Sequence, residues 1–229
     1  MTNPAEYLLP RPPFKLTDEK QKVFDDLFTS TPAEELIDYN LPYPKWEFLS
    51  YLCDSRELVL HGSQNMDISV VEPRQAIDIR DFSNREAIYA TTDGIWVIYF
   101  AILDRRKHRD LTLFNSCLRA QLAEDQFSDP LYFFSITHSA LVKEPWCDGT
   151  IYIIPRQAFT QEVPQQAQGF TVIFPHWISC QPVTPRARLN VSHEDFPFME
   201  QIHGHDDAIL VRLAAENPGG FPWPEALIN

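Results

Sequence analysis

Nine consecutive apolar residues, Ile95 to Leu103 (IWVIYFAIL), leave that segment no side to turn toward water. It must be buried, as a helix or as a strand, and periodicity alone does not separate the two. Thr92 and Asp93 just ahead of it are residue types whose side chains cap helix N-termini, so a buried helix is expected over 93–104. The run is half of the ~18 apolar residues read as a membrane span. Asp104, Arg105 and Arg106 follow it directly, and no membrane partner is expected. The chain has 229 residues, 44% of them apolar and 22% charged. That is material for one large domain, or one domain with appendages, and it excludes wholesale disorder.

Gly is scarce (7) and Pro abundant (19). Neither GxGxxG nor GxxxxGK[ST] occurs, which argues against a Rossmann dehydrogenase or a P-loop NTPase. The prolines point to rigid turns and strand ends rather than long helices. Lys and Arg number 19 against 32 Asp and Glu, for a net charge of −13. A nucleic-acid partner held by general electrostatics is therefore not expected. Cys53, Cys117, Cys147 and Cys180 are isolated, with no CxxC pair, so neither a thiolate metal site nor a disulfide framework is expected. The N-terminus lacks the basic and apolar regions of a signal peptide, and a cytoplasmic location is the default expectation.

Along the chain, residues 1–16 read as a Pro-rich arm. A helix is expected from Thr17, another from Thr31-Pro32, and a third over Trp46 to Asp54. Glu57–His61 reads as a strand stopped by Gly62. Residues 64–86 read as loop-rich, and Ala87–Ala90 as a short strand. Further strands are expected at 131–136, 149–154, 171–174 and 187–191. Residues 193–216 read as short helices and 217–229 as a turn-rich tail. Helices, then strands, then helices make an α+β fold. The expected organisation is an N-terminal arm and helical segment (1–54), an α+β core (55–216) and the tail (217–229).

Two segments carry the strongest chemical cue: Leu58-Val-Leu-His61-Gly62-Ser63, and Ala87-Ile-Tyr89-Ala90-Thr91 ahead of the apolar run. A strand ending in His-Gly-Ser, then a strand carrying Tyr with a helix behind it, resembles the ADP-ribosyltransferase superfamily. The poly(ADP-ribose) polymerase and diphtheria-toxin-like branch is the nearest likeness, and this chain would be a divergent member. The resemblance covers residues 57–104 by motif and 130–191 by strand order. It implies a split β-sheet core and NAD as the substrate. By that resemblance His61 would bond a ribose hydroxyl, the Gly62 backbone would pair with the nicotinamide carboxamide, and Ser63 would assist near the ribose. Tyr89 would stack on the nicotinamide ring, with Trp96 or Tyr99 as further aromatics if they are not core.

The family's third element is a Glu at the start of a late strand, where a carboxylate stabilises developing positive charge. The best positional match is Gln181 in Ser179-Cys180-Gln181-Pro182-Val183, a neutral amide in that place. This departure argues against polymer elongation. Glu162 and Glu144 are fallback carboxylates. NAD also carries a pyrophosphate, for which Arg74, Arg80 and Arg85 are candidate cations. The acceptor of ADP-ribose is open: protein, nucleic acid, small molecule or water.

Two other readings stand beside this one. The same fold with little or no catalysis would be an NAD, ADP-ribose or protein-binding domain. A metal-dependent enzyme would instead use the dense C-terminal group His193-Glu194-Asp195 and His203-Gly-His205-Asp206-Asp207, whose spacing matches no motif of known mechanics. There is no GxSxG elbow for a serine hydrolase.

Overall fold

The computed structural model describes residues 4–75, 82, 84–167 and 169–228. In chain order its elements are β1 (Leu9–Pro10), α1 (Asp18–Ser30), α2 (Lys45–Ser55), β2 (Leu58–Ser63), β3 (Arg74–Gln75), β4 (Glu86–Thr91), α3 (Gly94–Ala101), β5 (Leu113–Ala123), β6 (Gln126–Phe127), β7 (Leu131–Thr137) and α4 (His138–Leu141). These are followed by β8 (Gly149–Pro155), β9 (Thr160–Gln161), β10 (Gln165–Ala167), β11 (Phe170–Ile173), β12 (His176–Ser179), β13 (Ala187–Val191), β14 (His203–His205), α5 (Asp207–Glu216) and β15 (Leu227–Ile228). The fold is α+β.

The strands form two sheets. One runs β10-β11-β5-β7-β14-β15, with β1 added to β7 and β6 to β5. The other runs β13-β8-β2-β4-β12-β9, with β3 added to β4. The apolar run becomes α3, and α3 lies between the sheets. Toward the first sheet, Tyr99 donates its hydroxyl to Ser135 O (3.0 Å) and Trp96 its indole N–H to Asn115 Oδ1 (2.6 Å). Toward the second, Gly62 and Gly149 bring the backbones of β2 and β8 against the backbone of α3 at Val97 and Ala101. α2 crosses over Gly94 at the helix start, where a Cβ would meet Trp46 O. Burial on every side is why this helix shows no polar face.

Asp93 starts α3 as expected, accepting from the Ile95 and Trp96 N–H groups, and Thr17 caps α1 through the Lys20 N–H. α1 and α2 place Phe24, Phe28, Phe48, Leu49 and Leu52 in the same core as α3 and the inner faces of both sheets. The C-terminal tail covers the far side of the first sheet, with Phe221 and Trp223 against Phe114.

Several local expectations are corrected. No helix starts at Thr31-Pro32. Thr31 instead ends α1, donating its N–H to Leu27 O, and the chain then runs beside β13. There Ile37 N–H donates to Arg188 O and Arg188 N–H to Glu35 O, while the Arg186 guanidinium donates to the carbonyls of Thr31 and Pro32. Sheet-edge pairing outweighs the local helix signal. Gly62 does not stop β2, which continues to Ser63 paired with β8. The segment 193–216 is not all helical. It contains β14, which pairs in parallel with β7, and the tail ends in β15 alongside β14. β5 and β12 carried no expectation. Among the described residues, no helix is long and apolar enough to cross a membrane.

Candidate functional site

The two motif strands are neighbours. β2 pairs with β8 along its whole length, but with β4 only at Leu60↔Thr91. Beyond that point β2 and β4 part, leaving a fork flanked by His61-Gly62-Ser63 on one side and the Tyr89 region on the other. His61 bridges it, with Nδ1 2.8 Å from Tyr89 O. A carbonyl only accepts, so Nδ1 carries the hydrogen and Nε2 of the neutral ring is an acceptor. Burial pushes the His61 pKa below its ordinary value, and the charge of Arg74 adds to this against the opposing carbonyl bond. The imidazole is therefore neutral at pH 7.

Strand pleating separates the two rings. Leu58 and Leu60 face the α3 core, so His61 faces the other side, where its ring lies 6.4 Å from that of Tyr152. On β4, Ile88 and Ala90 belong to that outer cluster, so Tyr89 faces the α3 side. The Tyr89 hydroxyl donates to Arg85 O (2.8 Å) and accepts from Arg85 N–H (2.9 Å), which fixes its ring. The two rings thus lie on opposite faces of the sheet, and the bond from His61 Nδ1 to Tyr89 O is what joins the two residues across the fork.

Ser63 Oγ accepts from the Asn65 N–H and shapes the turn after β2. Arg74 lies exposed on β3, beside Ala87 of β4. Arg85 stacks on the Phe82 ring at 5.6 Å. Arg80 lies outside the described residues. Trp96 and Tyr99 are core residues of α3. Gln181 occupies an exposed turn after the end of β12, where its N–H and carbonyl both bond Ser179 Oγ. It does not open a strand. Glu144 sits in an exposed turn after α4.

The group that sequence reasoning missed is His176. It opens β12, the strand on the far side of β4, opposite Thr91. Its ring lies 5.6 Å from Tyr89, 5.8 Å from Trp96 and 5.2 Å from Phe82. Behind it stands Glu162, 2% exposed, with Oε2 3.0 Å from His176 Nδ1 and Oε1 accepting from the Gln165 amide. The Glu162 N–H also donates to His176 O at 2.9 Å. The fallback carboxylate thus reaches the neighbourhood of Tyr89 through an imidazole. Fourteen residues separate the pair in sequence, so no spacing rule links them; the one local cue was a lone His opening an apolar stretch.

The C-terminal His and Asp residues do not converge. Asp195 closes a capping box with Ser192 and pairs with Lys45 at 3.0 Å. His203 stacks on Phe133, and Asp206 caps α5. His205 is buried between Ser135 Oγ (2.7 Å) and Thr112 Oγ1 (3.1 Å), with Asp207 Oδ1 at 3.3 Å. Thr112 and Thr137 hydroxyls both donate to that carboxylate. Among the described residues no group of three or more His, Cys, Asp or Glu is placed to hold a metal ion. Ser135, His205 and Asp207 line up as a hydroxyl–imidazole–carboxylate chain, but Ser135 is fully buried and no substrate reaches it.

These buried and half-buried histidines set a pH dependence. Burial lowers the pKa of His61, His203 and His205 from the ordinary 6.5, and for His205 the neighbouring Asp207 opposes the shift. Below pH 6.5 the unfolded chain then binds protons that the folded chain refuses, so stability falls with acidification. Thermal denaturation should show a lower Tm at pH 5.5 than at 7.5, with a shallower slope in His205→Gln. Equal Tm values at the two pH values would contradict this account.

Comparisons with protein-family models, curated proteins and solved structures found no match to this chain.

Proposed function

We propose that this chain is an ADP-ribosyltransferase-like domain, acting in the cytoplasm, that binds NAD and breaks its nicotinamide–ribose bond. The observation that carries this reading is the fork. The His-Gly-Ser strand and the Tyr strand lie side by side, part after Leu60↔Thr91, and are tied by the His61–Tyr89 bond, with the buried helix directly behind. In the reaction the C1′–N bond breaks and its electron pair leaves on neutral nicotinamide. The acceptor oxygen bonds C1′ and the acceptor proton is released. The product is one ADP-ribose on an acceptor, or free ADP-ribose when the acceptor is water.

In this reading, His61 Nε2 accepts from a ribose hydroxyl, and the open backbone edge at Gly62 takes the carboxamide. Tyr89 offers the ring face for nicotinamide, a contact worth about 0.5–1.5 kcal/mol beyond the area it buries. Ser63 stands at the end of β2, on one side of the fork, to meet the ribose, and Arg74 stands on β3, paired with β4 at Ala87, to meet the pyrophosphate. The acceptor is a protein, a small molecule or water; the charge of −13 disfavours nucleic acid.

A specific observation favours a second reading, binding without turnover. The buried Glu162 carboxylate is already engaged by His176 and Gln165 rather than presented to a ligand. One experiment separates the two. NAD at about 100 times its Kd should stabilise the protein by about 2.7 kcal/mol, a Tm rise of roughly 5–10 °C. His61→Ala and Tyr89→Ala should each abolish that rise with an unchanged far-UV spectrum. Nicotinamide release by the parent protein supports transfer, and stabilisation without release supports binding alone. A parent Tm indifferent to NAD rejects both.

A further inference from the structure

We propose that His176, oriented by Glu162, is the base that takes the acceptor's proton in the transfer reaction; this rests on the NAD reading above. The superfamily resemblance calls for a carboxylate at the start of a late strand, and Gln181 does not supply it. In the sheet, the strand next to the Tyr89 strand is β12, and its first residue is His176. The buried Glu162 carboxylate stands one imidazole away from the Tyr89 ring.

The geometry suits proton transfer. Glu162 Oε2 accepts from His176 Nδ1–H at 3.0 Å, which in the neutral ring fixes the tautomer with the lone pair on Nε2. Among the described residues nothing hydrogen-bonds Nε2. A carboxylate behind an imidazole orients the ring and stabilises the imidazolium that forms when it accepts a proton. Gln165 and the strand backbone hold Glu162 in turn. The Tyr89, Trp96 and Phe82 rings flank the imidazole and limit water around it. Tyr89 also joins the two halves of the site, because its carbonyl holds His61 and its ring lies against His176.

The step balances without any further reactant. The acceptor O–H proton passes to His176 Nε2, and the acceptor oxygen forms its bond to C1′. The C1′–N bond breaks, with its electron pair going to nicotinamide. The imidazolium then returns the proton to solvent. Glu162 does not touch the reacting atoms and is a positioning residue.

The test measures nicotinamide release by the full chain, with NAD binding followed separately by thermal shift. His176→Ala should lower kcat by about 100-fold or more, the usual worth of a general base, and leave the NAD-induced Tm rise in place. Added imidazole should restore part of the lost rate. Glu162→Gln should lower kcat with KM for NAD held, an effect that simple loosening of the fold would not confine to kcat. Turnover at the parent rate in a His176→Ala protein that still binds NAD overturns the proposal and leaves the NAD reading standing. So does a lost rate in that protein that imidazole does not restore. Should His176→Ala fail to fold, His176→Gln is used in its place, keeping the bond to Glu162 through its amide while removing the base. A parent protein that neither binds nor cleaves NAD overturns the reading and this inference with it.

Discussion

Gly149→Ala is expected to be among the most damaging single-methyl additions in the molecule. A Cβ at 149 would lie 2.2 Å from Ala101 O and 2.8 Å from the carbonyl carbon. Both are backbone atoms of α3, at the centre of the core, and no side-chain rotation relieves the overlap. The helix must move off β8, and the Tyr99–Ser135 and Trp96–Asn115 bonds on its other side resist that movement. Overpacking typically costs about 1–3 kcal/mol, and a clash with helix backbone belongs at the upper end. For a chain this long, about 3 kcal/mol is a Tm loss on the order of 10 °C. Gly219→Ala, whose Cβ would come no nearer than 3.8 Å to Asn217 Oδ1, should cost far less. Thermal denaturation of the two variants measures the difference, and a Gly149→Ala protein melting within a degree of the parent would show that α3 is free to shift. Gly62 carries the same constraint, with a Cβ 2.6 Å from Val97 O. Its place in the His-Gly-Ser strand therefore has a packing cause that stands whether or not its backbone meets a ligand.

Asp93→Ala should cost a comparable amount by a different route. One carboxylate oxygen accepts from the Ile95 and Trp96 N–H groups at 3.0 and 2.7 Å, and the other accepts the Tyr132 hydroxyl at 2.7 Å. Losing the cap costs about 0.5–2 kcal/mol. Leaving the buried Tyr132 hydroxyl without its partner adds about 1–3 kcal/mol. The sum is about 1.5–5 kcal/mol, a large part of the ~5–15 kcal/mol that holds an ordinary domain folded. Tyr132→Phe in the Asp93→Ala background removes the orphaned hydroxyl and should recover part of the loss. Denaturant melts of the parent, the two single variants and the double variant measure that coupling. Strict additivity would mean that the two groups do not share a bond.

Where the sequence and the structure agree, the physical signal is local. The apolar run allowed no exposed face, and Asp93 supplied the cap that made it a helix. Thr17 capped α1 in the same way. Ala187–Val191 alternates buried and half-buried residues, as a strand with one covered face must. Where they differ, a distant partner decides. Thr31-Pro32 has the composition of a helix start, but β13 offers carbonyls and N–H groups to that stretch, and Arg186 holds its turn. His203-Gly204-His205 has no strand composition; it becomes a strand because β7 and β15 flank it. Gly204 fits there because a Cβ would run into the His138 ring at 2.5 Å.

The candidate site divides along the same line. By itself the sequence determined that the chain has an α+β core around one buried helix, that His61 and Tyr89 lie on strands ahead of it, and that any cation for a phosphate must be local in so acidic a chain. Those are consequences of side-chain chemistry and short-range periodicity. Only the tertiary structure decided that the two strands touch at a single register pair and then part, that pleating sends the two rings to opposite faces, and that Glu162 and His176 meet beside Tyr89. Register and pairing across long loops come from the packing of both sheets on α3, and no residue carries that information alone.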